Sequence, residues 1–170
     1  MIRVGVIGAE STGKSTLCQA LSCRCGYRWI KEYAREYVEK LDRPYTLSDL
    51  DAIAHHLIEQ LRSEYSEEVV LFDTEMIIMK VWYEHLYGSA PDWVEQALRN
   101  HPMNLYLLMA PDLPAEQDPV RENLHQREYF SAWYEREIQR TGVPYAIITG
   151  QGDERIQAAE DIINNSSLKI

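Results

Sequence analysis

Near the start of the chain, Gly8-Ala9-Glu10-Ser11-Thr12-Gly13-Lys14-Ser15 matches the pattern G-x-x-x-x-G-K-[ST]. The chemistry this spacing serves is the holding of a phosphate chain. Gly8 and Gly13 admit backbone angles and close approaches that a Cβ would block, so successive N–H groups can turn toward anionic oxygens. A helix that starts where the loop ends adds its unpaired N-terminal N–H groups to the same anion. Lys14 is spaced to reach the β- and γ-phosphates, and the Ser15 hydroxyl to take one position on Mg²⁺. Glu10, Ser11, Thr12 and Thr16 complete the candidate nucleotide-contacting set.

Acids come next. Val69-Val70-Leu71-Phe72 is a continuous apolar run closed by Asp73, which reads as a strand buried on both faces with its acid at the catalytic edge. In phosphate-loop proteins such an acid assists Mg²⁺ directly or through water; the competing role is a helix cap for the segment starting at Glu75. Glu32 follows a short aromatic strand, where a second substrate would meet the nucleotide. Glu32 and Glu36 are four apart with Arg35 between them, so a helix would put both acids on one face. A solvated helix with ordinary Glu/Arg pairs is the alternative for all three.

Late in the chain, Asp112-Leu113-Pro114-Ala115-Glu116-Gln117-Asp118-Pro119-Val120-Arg121 forms a polar, proline-punctuated segment that runs into helix by Arg127. Arginine on such a lid, spanning about residues 112–127, is a means of adding charge to a phosphoryl-transfer transition state. Arg121 and Arg127 are the candidates, and a plain helix start competes with that reading, more strongly for Arg127. Trp82, Tyr83 and Tyr87 could line a pocket for a flat ring, since aromatic faces stack on planar heterocycles; packing into the core is the commoner fate of such a cluster. The Gly150-Gln151-Gly152 loop could lie beside a nucleotide base, or be a plain turn.

The elements that must position these groups alternate. Strands are expected at Val4–Ile7, Tyr27–Ile30, Val69–Asp73, Met103–Met109 and Pro144–Thr149. Helices are expected after Ser15 to near Gly26, from Lys31, from a capping box at Ser48-Asp49-Leu50-Asp51, over 76–87, 92–99 and 129–140, and from Asp153 to Ile163. The third of these shows one apolar face through Leu50, Ile53, Ala54, Leu57, Ile58 and Leu61. His55 and His56 are adjacent, point in different directions and do not have metal-ligand spacing. Strand-helix alternation of this kind predicts an α/β fold: a three-layer P-loop NTPase with a five-stranded, mainly parallel sheet and helices on both faces.

A chain of 170 residues suits one domain over 1–170. Its 27 Asp+Glu against 17 Lys+Arg give a net charge of −10, an acidic balance that repels phosphate backbones and argues against a nucleic-acid partner. Cys18, Cys23 and Cys25 lack zinc or thioredoxin spacing and read as reduced thiols. No apolar run approaches the ~20 residues a membrane span needs, so a cytoplasmic location and no membrane partner are expected.

With Gly8–Ser15, Glu32-Tyr33-Ala34-Arg35-Glu36, Asp73-Thr74-Glu75 and Asp118-Pro119-Val120-Arg121 together, nearly the full chain resembles the nicotinamide riboside kinase domain of NadR-type proteins. The resemblance implies ATP- and Mg²⁺-dependent phosphorylation of the 5′-hydroxyl of a small nucleoside, nicotinamide riboside, to give the mononucleotide. It suggests Glu32 and Asp73 as substrate-side or Mg²⁺-side carboxylates and Arg121 as a lid arginine; with the residues read above, the expected site has Lys14, Glu32, Asp73 and Arg121 as catalytic, Ser15 and Asp73 on the metal side, and Glu32, Arg35, Glu36, Trp82 and Tyr83 toward the substrate. The lid lacks the tryptophan and glycine expected around the family's Asp-x-x-Arg element.

Overall fold

A computed structural model of the chain describes residues 1–114 and 124–167. The elements are β1 (Ile2–Ile7), α1 (Lys14–Cys25), β2 (Arg28–Ile30), α2 (Tyr33–Glu39), α3 (Leu47–Arg62) and β3 (Val69–Asp73). They continue as α4 (Met76–Tyr87), α5 (Asp92–Asn100), β4 (Leu105–Met109), α6 (Arg127–Thr141), β5 (Tyr145–Ile148) and α7 (Gly152–Ser167).

All five strands pair in parallel in the order β2-β3-β1-β4-β5. Because side chains alternate along a strand, the inner strands feed two cores at once. Val4 and Val6 of β1, Leu71 of β3 and Leu107 of β4 face α1 and α7, whereas Phe72, Tyr106 and Leu108 pack under α3, α4, α5 and α6. Apolar runs rather than alternating ones were therefore needed, and the inner strands supply them.

Register does the positioning. Val6 pairs with Asp73, so the acid at the end of β3 lies beside the residues that leave β1 for the phosphate loop. Crossovers leave the sheet in opposite directions at this point, which in open α/β sheets opens a crevice at the strands' carboxyl ends.

Several boundaries differ from the sequence reading. The capping box of α3 uses Thr46 and Asp49 rather than Ser48 and Asp51. Asp49 wins because it accepts from the Thr46 N–H and hydroxyl, each at 2.7 Å, and is also held by Arg43 at 2.7 and 3.0 Å. Those bonds hold its carboxyl well below the usual range, the Arg43 guanidinium foremost. Met103 precedes β4 and Tyr27 precedes β2, since neither takes part in the ladder. Helix α7 runs on to Ser167. The adjacent histidines do diverge: His56 stacks on Tyr33 at 3.7 Å between ring centres, and His55 meets Trp93 at 4.5 Å. All three cysteines are free thiols.

Candidate active site

The phosphate loop folds as its sequence requires. Gly13 sits at φ +79°, the left-handed region, and a Cβ on Gly8 would come within 2.7 Å of Thr12 Oγ1 and 2.9 Å of Met109 Cβ. Helix α1 begins at Lys14, so its first N–H groups face the loop. Lys14 Nζ donates to the carbonyls of Gly8 at 3.0 Å and Ala9 at 3.2 Å, poised at the loop's mouth.

Glu10, Ser11, Thr12, Lys14, Ser15 and Thr16 all line one cavity of about 540 Å³ that runs along the carboxyl edge of the sheet. Toward β3 its wall is Glu32, Val38, Leu50, Ile53, Ile78 and Trp82. Toward β5 it is Gly152, Arg155 and Ile156, with Leu113 and Pro114 between. Glu32 stands at the N-cap of α2, yet its side chain makes no cap hydrogen bond and lines the cavity instead. Trp82 is backed by Phe130 of α6, stacked at 5.5 Å and 22°, which fixes the indole against the cavity.

Asp73 is 2% exposed. Burial pushes its carboxyl above the ordinary range and nearby Glu32 adds to this; the Lys14 charge and hydrogen bonds from Ser15 and Trp29 pull the other way. A hydroxyl and a carboxylate brought together beside the phosphate loop are oxygen donors suited to a hard cation that keeps its waters and shares phosphate oxygens. Ser15 and Asp73 therefore fit Mg²⁺, and among the described residues no group of three or more His, Cys, Asp or Glu gathers elsewhere to hold a metal.

Not every candidate joins the cavity. Tyr83 is fully buried and its hydroxyl donates to Asp51 at 2.6 Å, so it is a core residue pointing away from the cavity. Glu36 does not line the cavity and pairs with Lys40 on the solvent side at 2.6 Å. Arg35 does line it, with its Nε on Glu39 at 2.9 Å. Arg127 clamps the loop: its guanidinium donates to Ser11 O at 3.2 Å and twice to Leu113 O at 2.9 Å. Arg121 lies outside the described residues.

Two residues escaped the sequence reading. Arg155 of α7 is buried and donates to Asp112, to the Gly150 carbonyl at 2.7 Å, to Thr12 O at 3.0 Å and to Ala110 O at 3.1 Å. It ties the phosphate loop to the loops after β4 and β5. Its signal was an arginine in helical step with the buried Ala159 and Ile163, since a charge on an apolar stripe must find partners.

Glu75 is the other: 1% exposed, it caps α4 by accepting from the Ile77 N–H at 2.8 Å. Burial pushes its carboxyl up to about 8. The folded state thus binds this proton more tightly than the unfolded chain, whose ordinary value is 4.5, so its contribution is fully present below that value. Stability of the ligand-free protein should fall by a few kcal/mol, in order of magnitude, as pH rises from about 4.5 to about 8, and level off above that. Glu75→Gln keeps the cap acceptor and should flatten that slope in denaturant titrations; an unchanged slope would assign it to other groups.

A strand, a glycine-rich phosphate loop, a helix on its far side and an acid on the neighbouring strand define the P-loop class. The chain belongs to the AAA domain family, whose model matches residues 3–155. It is 24% identical over 124 residues to the trifunctional NAD biosynthesis/regulator protein NadR of Salmonella typhimurium, covering 69% of this chain and 30% of that protein. It is similar in fold to NadR solved in complex with NAD and AMP-PNP (TM-score 0.78, 21% identity, 98% of this chain and 49% of that one). A NadR structure in complex with NR gives the same TM-score of 0.78 at 20% identity, over 98% of this chain and 50% of that one. This chain therefore spans under a third of the curated relative and about half of each solved one. Among the described residues, no helix is long and apolar enough to cross a membrane.

Proposed function

We propose that this chain is a Mg²⁺- and ATP-dependent kinase that transfers a phosphoryl group to the 5′-hydroxyl of nicotinamide riboside, giving nicotinamide mononucleotide. The observation that carries the reading is the continuity of the cavity from the phosphate loop to an apolar wall ending at Trp82, with the Glu32 carboxylate on the way. A nucleotide would lie with its phosphates in the loop and its base toward Gly152, Arg155 and Ile156. The acceptor would occupy the β3 side, its ring against Trp82 and its sugar toward Glu32. Among the described residues the one guanidinium on that side is Arg35, already bonded to Glu39. The similarity in fold to the NadR complexes with NR and with AMP-PNP supports the same assignment.

Transfer in this site is in line. Lys14 and the loop N–H groups neutralise the γ-phosphoryl oxygens, and Glu32, or failing it Asp73, orients the hydroxyl and takes its proton. Arg127 holds the Ser11 turn of the loop in place from α6. Ser15 and Asp73 would hold Mg²⁺, which would supply further charge neutralisation at the phosphates.

A panel of acceptors with radiolabelled ATP tests the assignment. Nicotinamide riboside should be phosphorylated with the highest kcat/KM. Preference for another nucleoside would move the specificity while keeping the chemistry, and hydrolysis unaffected by any acceptor would point to a nucleotide-driven switch.

A further inference from the structure

Thr74, between Asp73 and Glu75, is held at φ +80°; the only other non-glycine residue in that region among the described ones is Ser11 of the phosphate loop. For a β-branched residue this conformation is a true outlier, and glycine would adopt it without strain. Strain of this kind persists only where the surrounding structure imposes it, and it clusters at functional sites.

Thr74 Oγ1 and Asp73 Oδ1 are both buried and neither has a hydrogen-bond partner. Asp73 and Thr74 line the same small cavity of about 10 Å³, otherwise walled by Tyr33, Ala34, Ile53, Leu57 and Met79. That is room for one water, and a buried water needs at least two polar partners. The other carboxylate oxygen, Oδ2, accepts from the Trp29 indole N–H at 3.4 Å.

We propose that Thr74 is a positioning residue for Asp73: its strained backbone turns the hydroxyl into the small cavity, where one water bridges Oγ1 to Asp73 Oδ1 and fixes the carboxylate. Trp29 secures Oδ2 from β2, and the water secures Oδ1 from behind. The carboxylate is then locked in the orientation that serves Ser15 and the metal side. This role rests on reading Asp73 as the Mg²⁺-side acid.

Three variants separate the hydroxyl from the strain. Thr74→Val keeps the shape and removes the hydroxyl, Thr74→Gly removes both strain and hydroxyl, and Thr74→Ser keeps the hydroxyl. In calorimetric titrations with AMP-PNP, the Val and Gly variants should lose about tenfold in the apparent affinity for Mg²⁺ in the nucleotide complex, as loss of an outer partner typically does. Ser should restore it, Mg²⁺-free nucleotide affinity should be unchanged, and the Tm of the Gly variant should not fall. Wild-type Mg²⁺ dependence in Val and Gly, or an equal loss without Mg²⁺, would overturn the proposal.

Crystal structures of ligand-free wild type and Thr74→Val decide the matter even if the protein binds no nucleotide. Density within hydrogen-bond reach of both atoms in the wild type, lost in the variant along with the Asp73 rotamer, is the expected result. An empty small cavity, or an Asp73 that does not move in the variant, would overturn it.

Discussion

Lys14→Ala should lower the single-turnover rate of phosphoryl transfer by about a thousandfold, in the range expected when a preorganised charge is withdrawn from a developing anion. The ammonium of Lys14 already sits at the loop mouth, bonded among the described residues only to the two carbonyls of Gly8 and Ala9. In a loose transition state, charge is spread over the oxygens of the transferring group, and little covalent assistance is required. Positioning and electrostatics should then dominate, and removing the one lysine of the loop removes most of both. A side chain that reaches only these carbonyls is not a fold determinant, so Tm should change little and the loss should be one of rate. A rate within tenfold of wild type would mean the phosphate chain is held elsewhere.

Glu32→Gln should be the second-largest effect, a loss of about a hundredfold, at the lower end of what general-base assistance contributes. The carboxylate is presented by the N-cap of α2 but spends no hydrogen bond on that helix, which leaves it turned to the cavity. Glutamine keeps the size and one acceptor oxygen, so acceptor KM should shift less than kcat. Burial already pushes the Asp73 carboxyl up, and neutralising Glu32 removes one of the charges that raises it further. The order of the two losses is itself diagnostic. If Glu32→Gln slowed the chemistry more than Lys14→Ala, proton removal rather than charge neutralisation would limit the reaction.

The parts of this site that the sequence disclosed are those whose chemistry is local. The glycines, Lys14 and Ser15 lie within one loop, and an apolar run closed by Asp73 can hardly be other than a central strand ending in an acid. The strand-helix alternation then sets the parallel sheet, and the Val6–Asp73 register follows from pairing those two runs. Residues whose roles depend on distant partners stayed hidden. Arg155 acquires its place only when α7 folds back over the loops after β1, β4 and β5. Tyr83 and Trp82 are neighbours on one helix, yet one turns to the half-buried Asp51 of α3 and the other to the cavity, a choice set by what packs on α4. Glu36 was drawn to Lys40, four residues on, a local pair that competes with any role in the cavity. The strain at Thr74 has no counterpart in residue type at all, since a β-branched residue is among those least expected at positive φ.

Equilibrium binding of AMP-PNP to the full chain, titrated by calorimetry with and without Mg²⁺, tests the central claim most directly. A single saturable site that tightens with Mg²⁺ and disappears in Lys14→Ala is the predicted result. No heat of binding in either condition, or binding indifferent to both the metal and the lysine, would contradict it.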